Sequence, residues 1–364
     1  MSGPGTQGLD PYRRLLNYAF TQAIPLNCQI EITYRCNHLC TFCYNSPTGQ
    51  REMATPQIFE ALRKIQEFGV LYVTLTGGEA MCHKDFFAIA GEVRRLGMAL
   101  RVYTNGYLLA DKKTVARLRA LEPTEVEVSI HGARPETHDA LTRIKGSFDK
   151  TLRAIGNLLE AGCKVNLKCP ITKLNQGELF QIRDLGERFG LRVNFDAVIT
   201  PKDDGDLAPL ALRADDEFIA KYWVEWYSEL HRGKLPPRQN HCASEGGANC
   251  GTGRSGFTVD PYGNILPCVA FRRKIANVLE IESFDSIWRT SPVLEEVRDL
   301  SVEARRRLDQ HQNGPYFTFC LGVAENQTGD PLAVYPQAEI NARAVRRHYE
   351  LLQIQDPGAR AKTA

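Results

Sequence analysis

The 364-residue sequence predicts an α/β fold, a partial (βα)6 barrel followed by a loop-rich C-terminal region. Two observations carry this. Between about residues 27 and 200 short apolar runs alternate six times with amphipathic segments, and beyond that the alternation stops and Pro, Gly and Asn punctuate the chain. Parallel neighbours cannot be joined by a tight turn, so each pair of segments reads as a strand and its crossover helix. Six units are fewer than the eight of a closed TIM barrel, so the sheet is expected to be TIM-like but open, with its chemistry at the C-terminal strand ends.

The predicted strands are Cys28–Tyr34, Tyr72–Leu75, Leu100–Tyr103, Glu125–Ile130, Lys164–Cys169 and Arg192–Val198. Helices are expected at Pro56–Phe68, where Ile58, Leu62 and Ile65 share a face, and at Asp85–Leu96, Lys112–Leu121, Phe148–Ala161 and Glu178–Phe189. Pro201 to Asp206 reads as a loop, Asp215–Leu230 as a helix and Lys234-Leu235-Pro236-Pro237 as a breaker. Residues 238–335 carry one hairpin signal, Gly256–Val259 and Ile265–Pro267 around Asp260-Pro261-Tyr262-Gly263-Asn264. Such a stretch can hardly build a core by itself and is expected to need a staple. A helix over about Ala338–Leu352 and a polar tail end the chain. The implied division is an N-terminal segment 1–24, a barrel 25–235, an auxiliary region 236–335 and a terminal helix and tail 336–364.

Lys plus Arg total 45 against 43 Asp plus Glu, and the runs Arg272-Arg273-Lys274, Arg305-Arg306-Arg307 and Arg346-Arg347 are scattered. They read as solvated faces, not as a nucleic-acid stripe. No apolar run approaches the ~18 residues that span a bilayer, and the N-terminus lacks the charged-then-apolar order of a secretory signal. A cytoplasmic protein is expected, and there eleven cysteines read first as metal ligands.

Three of them fall in Cys36-Asn37-His38-Leu39-Cys40-Thr41-Phe42-Cys43, just past the first strand. Thiolates at this spacing suit zinc or an iron–sulfur cluster; structural zinc wants a fourth ligand, which His38 could supply. The next strand end, Thr76-Gly77-Gly78-Glu79, brings two glycines and a carboxylate that a zinc knuckle does not need.

Cys-x3-Cys-x2-Cys after a first strand and Gly-Gly-Glu after a second, on a six-fold strand–helix repeat, resemble the radical S-adenosylmethionine (radical SAM) enzymes over roughly residues 25–200. The resemblance implies a 4Fe-4S cluster held by Cys36, Cys40 and Cys43, its fourth iron open for S-adenosylmethionine. The reduced cluster of that family cleaves the sulfonium to a 5'-deoxyadenosyl radical that abstracts a substrate hydrogen. It also implies that Gly77, Gly78 and Glu79 meet the methionine amine and that Phe42 packs near adenine. Ser129 and Arg143 resemble the ribose and carboxylate positions, with Thr104-Asn105-Gly106 closing the third strand in the same way. A helix-cap serine and a surface arginine are the plain alternatives for Ser129 and Arg143. Many relatives have proline after Gly-Gly-Glu; here Ala80-Met81-Cys82 follows, leaving Cys82 an unassigned thiol near the site.

Later in the chain, Cys250-x12-Gly263-x4-Cys268 is similar to the start of the SPASM extension of peptide-modifying radical enzymes, as are Ile275-Ala276-Asn277-Val278 and Phe284 to Trp288. With Cys242 and Cys320 as the other ligands, the resemblance implies the truncated "twitch" form with one auxiliary 4Fe-4S cluster; structural zinc on the same four residues is the competing reading. Either centre would order a loop-rich stretch.

These resemblances imply a radical SAM oxidoreductase acting on a ribosomally synthesised peptide by cross-linking, oxidation or epimerisation. A flavodoxin- or ferredoxin-type reductant would serve it, and because only about 25 residues precede the first strand, either a separate leader-peptide-binding protein supplies the leader grip or the substrate is small. Epimerisation needs a hydrogen-atom donor, for which Cys82 and Cys169 are candidates, core packing being the plainer reading of each. Val269 after Cys268 stands where sulfatase-maturing relatives carry an aspartate base, which argues against that role. The alternatives are a small-molecule dehydrogenase or epimerase, for example of an aminocyclitol, and a non-catalytic zinc-stapled binding module.

Overall fold

The computed structural model describes residues 11–230 and 247–355. After α1 (Pro11–Thr21), six parallel strands follow in spatial order: β1 (Asn27–Glu31), β2 (Tyr72–Thr76), β3 (Ala99–Thr104), β4 (Glu125–Ser129), β5 (Val165–Pro170) and β6 (Val193–Asp196). Between them lie α2 (Thr55–Glu67), α3 (Phe86–Arg95), α4 (Lys112–Arg119), α5 (Pro135–Thr142), α6 (Ser147–Glu160) and α7 (Leu179–Arg188). The predicted face of α2 is the buried one: Ile58, Leu62 and Ile65 are fully enclosed. They meet Ile30, Val73, Leu75, Leu100, Val102, Val126, Val128 and Leu167 of the strands in one core. The first strand stops at Glu31 rather than Tyr34, because Thr33 and Tyr34 turn to bond Glu52 instead of a neighbouring strand.

The expected helix at 215–230 is α8 (Asp216–Lys221), a π-helical turn (Tyr222–Trp226) and α9 (Tyr227–Leu230). The hairpin is present as β7 (Gly256–Val259) and β8 (Asn264–Leu266), followed by β9 (Ala276–Asn277). Its location is a new finding. Strand β7 pairs in parallel with β1, Asn27 opposite Gly256, so the sheet has nine strands in the order β6-β5-β4-β3-β2-β1-β7-β8-β9 and does not close. A Cβ at residue 256 would stand 2.8 Å from the Asn27 carbonyl oxygen, so the approach of the two strands requires glycine.

The expectation of a loop-rich, coreless 238–335 is corrected. That region contains α10 (Phe284–Trp288), α11 (Pro292–Gln310) and α12 (Leu321–Thr328), and with α13 (Pro336–Gln355) it buries a second core around Phe271, Val297, Leu308, Phe317, Leu321 and Tyr335. Two basic runs are not simply solvated either. Arg305 is buried on α11 and pairs with Asp309, and Arg272 is enclosed among carboxylates. The breaker at 234–237 and the polar tail beyond 355 lie outside the described residues. Among the described residues no helix is long and apolar enough to cross a membrane.

Candidate active site

The ends of β1, β2 and β3 converge on the three-cysteine loop. Gly77 and Gly78 lie against the chain entering it: a Cβ at Gly77 would stand 2.2 Å from the Thr33 carbonyl oxygen, and one at Gly78 would stand 2.4 Å from that of Tyr34. Two backbone hydrogen bonds use that closeness, Gly78 N to Thr33 O at 2.8 Å and Glu79 N to Arg35 O at 2.9 Å. Gly78→Ala therefore meets backbone oxygens that have nowhere to go. We expect it to cost about 3 kcal/mol of stability, read as a lowered urea midpoint.

Glu79 is buried and takes three donors: Thr104 Oγ1 at 2.8 Å, Asn105 N at 2.7 Å and Met81 N at 3.2 Å. The last bond caps a short 3-10 turn, Ala80–Cys82, in the place of the missing proline. Burial pushes the Glu79 carboxyl up, against the pull of those donors. Asn105 continues the contact outward, its amide donating to Asn37 Oδ1 at 2.7 Å and lying 3.9 Å from Cys36 Sγ. From the other side the end of α5 holds the loop, Leu39 N to Thr142 O and Thr41 N to Leu141 O, each at 3.0 Å.

The thiols feel one another. Desolvation, then the nearby Glu79, Cys43 and Cys82, push Cys36 up to about 11, although the residue as a whole is exposed. Burial, then Cys43 and Cys36, push Cys40 up to about 12, and burial raises Cys43. Such thiols are protonated at neutral pH until a metal draws the protons off. Cys36 Sγ also accepts the His38 backbone N–H at 3.3 Å. The His38 ring faces Tyr107 edge-on at 5.6 Å, and burial lowers it to about 4. Buried polar atoms without a hydrogen-bond partner gather here: both His38 ring nitrogens, Asn37 Nδ2 and Asn45 Oδ1. Among the described residues no three His, Cys, Asp or Glu side chains are grouped to hold a metal ion. The donor set, the glycine cradle and the unpartnered polar atoms fit a cluster and a polar ligand beside it.

The other predicted residues fall as follows. Phe42 lies 5.1 Å from the ring of His131, just past β4, and Ser129 is half-buried at the end of that strand. Arg143 is exposed, with a left-handed backbone after α5. Cys82 is half-buried near Cys36 and Glu79, whereas Cys169 is sealed in the core. Cys28 and Cys163 are buried, as expected of small apolar residues. Sequence reasoning missed Asn45, which donates to Gly77 O at 3.2 Å, and Glu52, which bonds Thr33 Oγ1 at 2.8 Å and Tyr34 N at 2.6 Å. The polar run after Cys43 was the available signal for Asn45.

In the C-terminal region Cys250, Cys268 and Cys320 are brought together at the second core. Burial, then Cys268 and Cys320, push Cys250 up to about 12, and burial, then Cys268, push Cys320 up to about 11. Cys242 lies outside the described residues. Asn249 Nδ2 donates to Phe319 O at 2.9 Å, tying the segment before Cys250 to the one before Cys320. A Cβ at Gly322 would stand 2.0 Å from the Ala270 carbonyl oxygen, so the Cys268 and Cys320 segments also touch.

Between the two cysteine groups Arg272 Nη1 donates to Glu31 Oε2 at 3.0 Å, and its Nη2 lies 3.4 Å from Asp203 Oδ2. Burial pushes Asp203 up to about 7 despite Arg272. Between about pH 4 and 7 the folded chain keeps a proton that the unfolded chain has released, so this group's contribution to stability falls as pH rises through that window. Asp203→Asn should remove that slope, a relative gain of about 1–2 kcal/mol at pH 8 over pH 5, checked by melting temperature against pH.

Residues 30–182 match the model of the Radical SAM superfamily, and residues 250–320 match SPASM, an iron–sulfur cluster-binding domain. Mycofactocin maturase MftC of Mycobacterium ulcerans (strain Agy99) is 28% identical over 285 residues, 74% of this chain and 76% of that protein. The antilisterial bacteriocin subtilosin biosynthesis protein AlbA of Bacillus subtilis (strain 168) is 25% identical over 321 residues, 82% of this chain and 67% of that one. Streptococcus suis SuiB, solved bound to its precursor peptide SuiA, shares the fold at a TM-score of 0.58 and 19% identity, covering 87% of this chain and 82% of SuiB.

Proposed function

This chain is a radical SAM enzyme with a C-terminal SPASM region, and from that premise we propose that it matures a ribosomally synthesised peptide. The observation that carries the reading is Asn105, which joins the Gly-Gly-Glu carboxylate to the cysteine loop through Glu79 at one end and Asn37 and Cys36 at the other. The substrate class is supported by the maturases MftC and AlbA, similar over about three quarters or more of this chain.

In this proposal Cys36, Cys40 and Cys43 hold a 4Fe-4S cluster, and Cys242, Cys250, Cys268 and Cys320 a single auxiliary one. When bound, the first cluster and S-adenosylmethionine supply the radical that takes a substrate hydrogen. The chain's own work is positioning. Gly77 and Gly78 leave the strand end free of side chains, and buried Glu79 fixes Thr104 and Asn105. Half-buried Phe42, its ring tilted 60° to that of buried His131, offers an apolar face for an adenine, and half-buried Ser129 lies at the end of the strand that leads to His131. Of the two thiols considered as hydrogen donors, Cys82 has access to the site and Cys169 does not. A flavodoxin- or ferredoxin-type reductant and a separate leader-binding protein belong to the same proposal.

The test is reaction of anaerobically reconstituted, reduced protein with S-adenosylmethionine and candidate precursor peptides in deuterium oxide. We expect 5'-deoxyadenosine and a peptide altered in mass. A product lighter by two hydrogens identifies oxidation or cross-linking, and one deuterium gained at an inverted carbon identifies epimerisation, with Cys82→Ala then losing product. Turnover of small molecules only, with every peptide left unchanged, would reject the peptide reading.

A further inference from the structure

Arg272 is a sequence-scattered basic residue that the fold encloses completely enough to make it a hub. Its guanidinium donates to Glu31 Oε2 at 3.0 Å, to the Tyr34 hydroxyl and to the Val269 carbonyl at 3.4 Å, and pairs with Asp203 at 3.4 Å. Three of these four partners lead to a cysteine. Val269 follows Cys268, and Tyr34 lies two residues before Cys36. Asp203 donates its backbone N–H to the carbonyl of Tyr44 at 2.8 Å, and Tyr44 follows Cys43. The route Cys43–Tyr44–Asp203–Arg272–Val269–Cys268 is thus continuous, in covalent bonds, hydrogen bonds and one ion pair. Ala270, against which Gly322 packs, extends it toward Cys320.

We propose that Arg272 is the positioning residue that sets the auxiliary-cysteine loop against the first cysteine loop, and so fixes the spacing of the two metal centres. The inference rests on the reading that both cysteine groups hold clusters. The residue type fits the task. A planar fork with five donors can meet four acceptors on three loops at once, whereas a lysine ammonium has three donors on one atom. Burial makes the arrangement stiff, because Glu31 is fully enclosed and Arg272 and Asp203 nearly so. Removing the cation would leave two carboxylates buried without their partner. The neighbouring Arg273 makes a comparable but more exposed pair with Glu325, its Nε donating at 2.9 Å, and touches neither cysteine loop's partners.

The test compares Arg272→Lys and Arg272→Met with Glu325→Gln as control, in the full chain. In reconstituted protein we expect Arg272→Lys to keep its iron while the mutual spin relaxation of the two reduced clusters, read by pulsed electron paramagnetic resonance, changes at least about twofold. The ratio of 5'-deoxyadenosine to product should rise about tenfold. The control should match the wild type in both. Unchanged relaxation in an iron-loaded Arg272→Lys overturns the proposal; if Arg272→Met fails to fold, the lysine variant decides. If the wild type holds no iron, the two-cluster reading fails by itself. Hydrogen exchange on the metal-free chain then tests the clamp: exchange about tenfold faster in both 36–44 and 268–272 in Arg272→Lys supports it. Unchanged exchange overturns it.

Discussion

Changing Cys36, Cys40 and Cys43 together to alanine is expected to abolish 5'-deoxyadenosine release and to lower iron from about eight to about four atoms per chain. The loss should be complete because the three thiolates have no substitute nearby: the His38 ring faces Tyr107, and Cys82 is a single thiol. The fold should survive. The loop is tied by Leu39 and Thr41 to the end of α5 and by Asn37 to Asn105, none of which the substitutions touch. Far-UV circular dichroism should therefore match the wild type while the iron assay and product chromatography do not. Persistent S-adenosylmethionine cleavage by the triple variant would falsify the assignment of these ligands. Air should have the same effect on activity as the substitutions, since an exposed cluster is oxidised.

Cys268→Ala is the second large effect. It should remove the auxiliary centre, leaving about four irons, and stop product formation while S-adenosylmethionine cleavage continues. Because residues 247–335 bury a second core together with α13, the variant should weaken this region, not unfold it. We expect a loss of about 3 kcal/mol from the missing metal link, read by hydrogen exchange in α11 and α12. Metal analysis decides between cluster and zinc: one zinc and no iron in the Cys36/Cys40/Cys43 triple variant makes the late cysteines a structural zinc site and ends the two-cluster reading.

The sequence made visible what is local. The strands were legible because buried apolar residues recur at every second position, as in Leu100-Arg101-Val102 and Val126-Glu127-Val128, and the cysteine loop because its ligands lie within eight residues. What escaped depends on distant partners. Nothing near Gly256 says that it will pair with Asn27, and nothing near Glu52 says that it will bond Thr33 and Tyr34. Helix α11 escaped for another reason: its buried face is Leu294, Val297, Ser301, Ala304, Arg305 and Leu308, correctly spaced but half made of small or charged residues. Arg272 was misread because a basic run looks the same from sequence whether it is solvated or meets carboxylates. At the candidate site Gly77, Gly78, Glu79 and Thr104-Asn105 were visible as strand ends, while the bonds joining them to the cysteines required the fold.

The pairing of β7 with β1 gives the chain an order of events. When residues 27–31 leave the ribosome, one side of that strand awaits residues 72–76 and the other awaits residues 256–259. For the whole interval of synthesis between them, the second side presents unpaired N–H and C=O groups, a template for strands of other chains. A fragment ending near residue 235 never covers it. Such a fragment should form the six-stranded half and then self-associate, so the SPASM region acts on the barrel as a built-in guard against aggregation as well as a holder of metal.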